Sequence, residues 1–219
     1  VSVESIAARQ SKLIRKALDA VILIGPNDAT PVASITAGAT RELATIPAAY
    51  RSLGHHTEDD GINWSRDVNT EEVRSHGSQE PTRRDITSDV TGLHVIAQET
   101  KALTLELFHG VDLSAVTPAA TTGEIAFNRA RVASTRYFRL LAVSQDGEGD
   151  DLLYFARFLP RVSITDFAEQ AWTKGTELQY DFTFTAYVDG DLGYAMREMW
   201  GGPGITALSE DMGFTTPTP

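Results

Sequence analysis

The stretch "GHHTEDDG", Gly54 to Gly61, sets two histidines, a glutamate and two aspartates within six consecutive positions. Imidazole and carboxylate both ligate divalent cations and both move protons near neutral pH, so metal binding and acid–base chemistry must be weighed against a solvated turn. A helix-borne zinc pair needs histidines four residues apart on one face, whereas His55 and His56 are adjacent and diverge on a strand. A calcium loop spaces its oxygens as D-x-[DN]-x-[DN]-G, and "TEDDG" lacks that spacing. Asp59, Asp60 and Gly61 are instead the residues that close turns, which favours a polar connection over a metal site.

The remaining chemical candidates are dispersed. His76, His94 and His109 are isolated in sequence, so only the fold can bring them to a serine or a carboxylate. There is no G-x-S-x-G, no glycine-rich phosphate loop and no H-E-x-x-H, and the sequence points to no cofactor. Carboxylate pairs sit mostly in turns, without the desolvation that shifts a pKa. In "EPTRRD", Arg83 and Arg84 could grip a phosphate, but beside Glu80 and Asp85 they read better as interface or solvated ion pairs. Trp64, Trp172 and Trp200 are dispersed, as core or interface residues are.

Composition narrows the function classes. The 219 residues suit one domain with arms, and 42% hydrophobic against 22% charged residues is globular usage. No cysteine is present, which excludes disulfides, zinc–thiolate sites and thiol nucleophiles. The longest apolar run, "AVILIG" from Ala20, falls far short of the roughly 20 residues that cross a bilayer, so no membrane partner is expected. The first twenty residues lack the apolar region and cleavage site of a secretory signal, and read as mature protein made in the cytoplasm. A formal net charge of -11 disfavours a broad phosphate-gripping surface.

The elements that must position these residues are mainly strands. Ile6, Leu13, Ile14, Ala17 and Leu18, with Arg9, Lys12, Arg15 and Lys16 between them, fit an amphipathic helix from Ser5 to Leu18, followed by a strand in "DAVILIG". Residues 29–49 suit short strands or a surface excursion. Tyr50–Leu53 and Ile62–Arg66 read as two strands joined by the Gly54–Gly61 connection, and Val68–Asp85 reads as a long polar loop. "GLHVIAQET" resumes β character. "TKALTLELFHG" predicts a helix over 100–109, with Thr100 as N-cap and Gly110 in the left-handed terminal position. Ile125–Phe127, Tyr137–Val143, Leu152–Ile164 and Glu177–Val188 predict further strands. The last of these alternates strictly, so one face packs on a core and the other meets solvent or a polar cavity. The segment 189–219, rich in Gly, Pro and Thr toward its end, reads as a C-terminal arm ordered against a neighbour, balancing an N-terminal helix or arm over 1–25.

The order of these features resembles the major tail protein, or tail tube protein, of long-tailed bacteriophages. The resemblance rests on Gly54, Glu58 and Gly61 in a G-x-x-x-E-x-G turn, then Arg83, Thr87, Glu99 and Thr100 before a helix. A second match is "YDFTFTAYVDGDLGYAMREMWGGPG", a last long strand and its Asp–Gly turn. The resemblance implies a mainly β sandwich or barrel with a flanking helix and extended loop and terminal arms, without catalysis. It implies hexameric rings stacked into a hollow tube that DNA crosses, assembled in the host cytoplasm with tape measure, tail-tip and terminator proteins as partners. Duplex DNA carries about one negative charge per 1.7 Å of axis, so an acidic channel leaves it free to slide. On that reading Glu177, Gln179, Asp181 and Thr183 are candidate channel residues. Candidate ring or subunit contacts are His55, His56, Glu58, Asp59 and Asp60, then Glu71, Glu72, Arg74, Arg83, Arg84 and Asp85, with Trp200.

Two other classes stay open from the residues. A carbohydrate-binding β-sandwich would need Trp64, Trp172 and Trp200 on one exposed face. A metal-assisted hydrolase would need His55, His56, Asp59 and Asp60 to converge.

Overall fold

The computed structural model describes residues 2–129, 131–132 and 134–215. In chain order the elements are α1 (Val3–Ala7), β1 (Asp19–Pro26), β2 (Thr36–Ala37), β3 (Glu42–Leu43), β4 (Arg51–Ser52), β5 (Asn63–Val73), β6 (Arg83–Ala97), α2 (Ala102–His109), β7 (Phe138–Asp146), β8 (Leu153–Asp166), β9 (Tyr180–Ala186), β10 (Arg197–Gly201) and α3 (Ile205–Ser209). Eight strands form one antiparallel sheet in the order β4-β1-β7-β8-β9-β6-β5, with β10 also paired to β8. The protein is mainly β with a flanking helix, sandwich-like rather than a closed barrel, as the sequence implied.

The central strands bury side chains on both faces. On β7, Leu140 and Ala142 join one apolar cluster with Leu93, Val95, Phe182 and Phe184, and Leu103 and Leu107 of α2 cover it. Leu141 and Val143 point to the other face, into a second cluster with Phe158, Val32, Ile35 and Tyr50. The segment 29–50, with its small β2–β3 hairpin, therefore lids the second face. Register shifts at Phe138/Leu140 and Ile164/Asp166 bend β7 and β8, as bulges do, and help the sheet curl.

α2 ends as its sequence requires. Gly110 is left-handed at φ 65, and the N–H groups of Gly110 and Val111 return to the carbonyls of Leu107 and Glu106, satisfying the last turn. The N-cap is Lys101, with no side-chain cap; the Thr100 hydroxyl bonds the Tyr180 hydroxyl at 3.0 Å instead.

Several expectations are corrected. Val68–Asp85 is not a loop: β5 and β6 pair from Asn63↔His94 out to Val73↔Arg83, so the polar stretch is the outer half of a long hairpin. The helix over Ser5–Leu18 reduces to α1 and a 3-10 turn at Ser11–Leu13, because Ile6 and Ile14 have nothing to pack on and short unsupported helices are marginal. Ile125–Phe127 forms no strand. Residues 119–124 close on themselves through Ala119 N–H to the Glu124 carbonyl. Regular strand β9 begins at Tyr180, not Glu177. The C-terminal segment is no simple arm, since β10 pairs with β8 and α3 follows it. Val1 and residues 216–219 of the two predicted arms lie outside the described residues.

Candidate functional site

Gly54–Gly61 links opposite ends of the sheet order rather than the two strands of a hairpin. Leu53 N–H bonds the Ile22 carbonyl on β1, while Thr57 N–H bonds Ile96 and Gln98 N–H bonds His55 on the β6 side. A strap of a few residues thus ties β1 to β6. Glu99 locks it: its carboxylate accepts the His55 N–H at 2.7 Å and pairs with Lys101 Nζ at 2.6 Å. Those two donors, Lys101 foremost, hold the Glu99 carboxyl below the usual range. Gly54 sits at φ 92, and a Cβ there would stand 2.4 Å from the Glu99 carboxyl carbon. Two residues singled out from sequence, Gly54 and Glu99, therefore meet, and glycine is needed at the contact.

The doubled histidine does not build a metal site. His55 is exposed and its Nε2 lies 3.9 Å from Glu99, while His56 pairs through its backbone with Ala97. Asp60 accepts the Thr57 hydroxyl at 3.2 Å, closing the turn that Gly61 completes at φ 58. Glu58 and Asp59 are exposed on that turn. Among the described residues no three His, Asp or Glu side chains are grouped to hold a metal.

The outer hairpin carries the predicted charged contacts as internal pairs. Arg84 bonds Glu72 through Nε at 3.1 Å, Arg74 lies 3.6 Å from the same carboxylate, and Arg83 pairs with Asp85 at 2.7 Å. Glu71 stands across from Asp85. Nearer the body, Arg66 grips both oxygens of Asp89 at 2.9 and 2.6 Å, which lowers the Asp89 pKa and raises that of Arg66. Both faces of this ribbon are open. Val68, Val73 and Ile86 are exposed, Ile86 at 66%.

The polar face of β9 is continuous with β6 and β5. The register sets Asp181, Thr183 and Thr185 beside Ile96, His94 and Gly92, and then Asn63, Ser65 and Asp67 beside His94, Gly92 and Val90. The polar groups satisfy each other: His94 Nε2 meets Asp181 Oδ1 at 2.8 Å, and the Thr165 and Thr185 hydroxyls meet at 2.8 Å. Glu177 and Gln179, in the approach to β9, continue the network. Glu177 accepts from Gln98 at 2.8 Å and from Gln179 at 3.1 Å, and these bonds lower its pKa. From Asn63 to Asp67 on β5 and from Asp181 to Thr185 on β9 there is one Arg, Arg66, which alternates to the other face and pairs with Asp89.

A third feature was not legible in the sequence. A cleft of about 550 Å³ opens between the start of β1, the strap, β8 and β10. Arg157 lies over the Trp64 ring at 4.8 Å and bonds Glu198 at 3.3 Å, and Trp200 stacks on Phe155 at 5.2 Å. Trp64 and Trp200 thus share a cleft, but Trp172 is not in its lining, so the three-tryptophan face required of a glycan binder is not formed. Sequence periodicity gave no sign of this cleft, because β10 returns to β8 after a gap of thirty residues from the end of β8 to Arg197.

An antiparallel sheet with a projecting ribbon and a self-satisfied polar face defines a β scaffold with an extended arm. A family model described as phage tail tube protein matches residues 7–197, and the chain belongs to that family. It is accordingly a structural protein of the virion tail that assembles with other tail components into the tail tube. No curated protein matches the chain. No helix among the described residues is long and apolar enough to cross a membrane.

Proposed function

We propose that the chain self-assembles into hexameric rings that stack into a hollow tube, and that the tube is the conduit through which the phage genome leaves the capsid. The observation that carries this reading is the β5–β6 ribbon. Its outer half spends hydrogen bonds and ion pairs on itself yet leaves Val68, Val73 and Ile86 uncovered, which suits an arm that is completed by a neighbouring subunit. The face of β9, β6 and β5 suits the channel wall. Asp181, Thr183, Asn63 and Ser65 offer duplex DNA no Lys or Arg to bind, and Asp67 and Asp181 repel it weakly. The strap turn with His55, His56, Glu58, Asp59 and Asp60 is assigned to a ring surface, and the charges of the ribbon to contacts between subunits. Tape measure, tail-tip and terminator proteins are the partners of this reading, and host cytoplasm is where assembly occurs.

Electron microscopy of the purified protein at rising concentration, with its mass in solution, tests the proposal. Hollow rings or tubes are expected, with or without a chelator. A protein that neither forms rings alone nor extends from added tail tips would overturn it.

A further inference from the structure

The cleft beside the strap has an unmatched charge and an apolar floor. Glu198 and Arg157 satisfy one another, whereas Asp19 and Glu58 at the rim have no cation paired to them among the described residues. The walls are aromatic, with Trp64, Phe155 and Trp200. Elsewhere the chain presents a segment of complementary character. Val3, Ile6 and Ile14 are 73, 70 and 76% exposed, and of the large aliphatic side chains in this segment only Leu13 is partly covered by the chain's own body. It is cationic in an acidic protein: the first eighteen residues hold Arg9, Lys12, Arg15 and Lys16 against Glu4. Lys12 and Arg15 are tied to Asp211 and Asp146, while Arg9 has no ion pair among the described residues.

We propose that the cleft receives the Val3–Ile14 segment of a second copy of the chain, with Ile6 against the aromatic wall and Arg9 at Asp19 and Glu58. The inference rests on the self-assembling tube reading above and names one contact within it. Interface energy concentrates at buried aromatic pockets, whereas charge pairs at the rim set register and a like-charge clash there is costly. The copy that owns the cleft uses Ala17 and Leu18 in its wall, while its Lys12 and Arg15 are tied to Asp211 and Asp146, outside the lining.

The chain has no cysteine, so introduced thiols report without background. Arg9→Cys protein is mixed with Glu58→Cys protein, assembled and mildly oxidised. A disulfide-linked pair of chains is expected in tubes, is absent when the mixture is kept dilute and unassembled, and is absent when Ser88→Cys on the ribbon replaces Glu58→Cys. Tubes that form without the 9–58 link would overturn the contact and leave the tube reading standing. A link closing within one dilute chain that carries both cysteines would also overturn it, since the occupant would then be the chain's own segment. Failure of all variants and of the parent protein to form tubes would remove the tube reading and this contact with it. In a second arm, Glu58→Lys raises the protein concentration needed for tubes by roughly tenfold, and adding Arg9→Glu restores it. A Glu58→Lys protein that assembles like the parent would contradict the charge pairing.

Discussion

The centre of the sheet and the outer β5–β6 ribbon are both antiparallel strands, yet they are held by different forces. Most residues of β7 and half of those of β8 are buried on one face or the other, and Leu140, Leu141, Phe158 and Leu159 are fully enclosed. At about 25 cal/mol per Å² of apolar surface, such burial dominates stability. The ribbon has a long ladder with one register shift at Asn69/Thr70 and several ion pairs but almost no burial, and exposed ion pairs contribute only about 0–1 kcal/mol each. Regular backbone pairing therefore does not make the two regions equal: the first is stable by itself, and the second is a surface prepared for contact.

The comparison can be broken most forcefully at the centre. Phe158→Ala should cost about 3–5 kcal/mol, seen as a lower denaturant midpoint, because it opens a cavity in the cluster under the 29–50 lid. Gly54→Ala should cost about 1–3 kcal/mol through its positive φ, and by crowding Glu99 it should loosen the strap. Faster amide exchange at Leu53, Thr57 and Gln98 than in the parent would register that loosening.

Alkaline titration sharpens the contrast within the lid. Burial pushes the Tyr50 phenol from its ordinary 10 up to about 12, Arg139 opposing the shift only in part. Its hydroxyl donates to the Thr30 carbonyl at 2.9 Å. The folded state thus keeps a proton that the unfolded state has released, so this stabilisation is complete below pH 10 and is lost as pH rises toward about 12. Tyr50→Phe should flatten that part of the stability profile, a change of about 2 kcal/mol over the window. An unchanged alkaline slope in the variant would show that other groups set it.

The smallest effect on folding is expected at the ribbon. Ile86→Ser should leave monomer stability within about 0.5 kcal/mol while impairing tube formation. A large fall in monomer stability would mean that the ribbon belongs to the body after all.

Sequence periodicity was informative where burial is one-sided or complete. In β9, Tyr180, Phe182, Phe184 and Ala186 are buried and the residues between them are not, as the alternation required. The end of α2 was legible from Gly110, because backbone chemistry there is local. The outer ribbon escaped notice because strands buried on neither face carry no apolar alternation. Its remaining signal was opposite charges spaced about a turn, Glu72 with Arg84 and Arg66 with Asp89. The two strands joined by Gly54–Gly61 are legible in the sequence but their partners are not, because Arg51–Ser52 and Asn63–Val73 are close in sequence yet pair with different strands, β1 and β6. The cleft depends on β10 reaching β8, a contact that no local pattern encodes.

The most direct test of the account is a reconstruction of the assembled tube by electron cryo-microscopy at side-chain resolution. The account predicts Asp181, Thr183 and His94 on the lumen and the outer β5–β6 ribbon buried against adjacent subunits. A tube with that face on its exterior, or with the ribbon free in solvent, would contradict it.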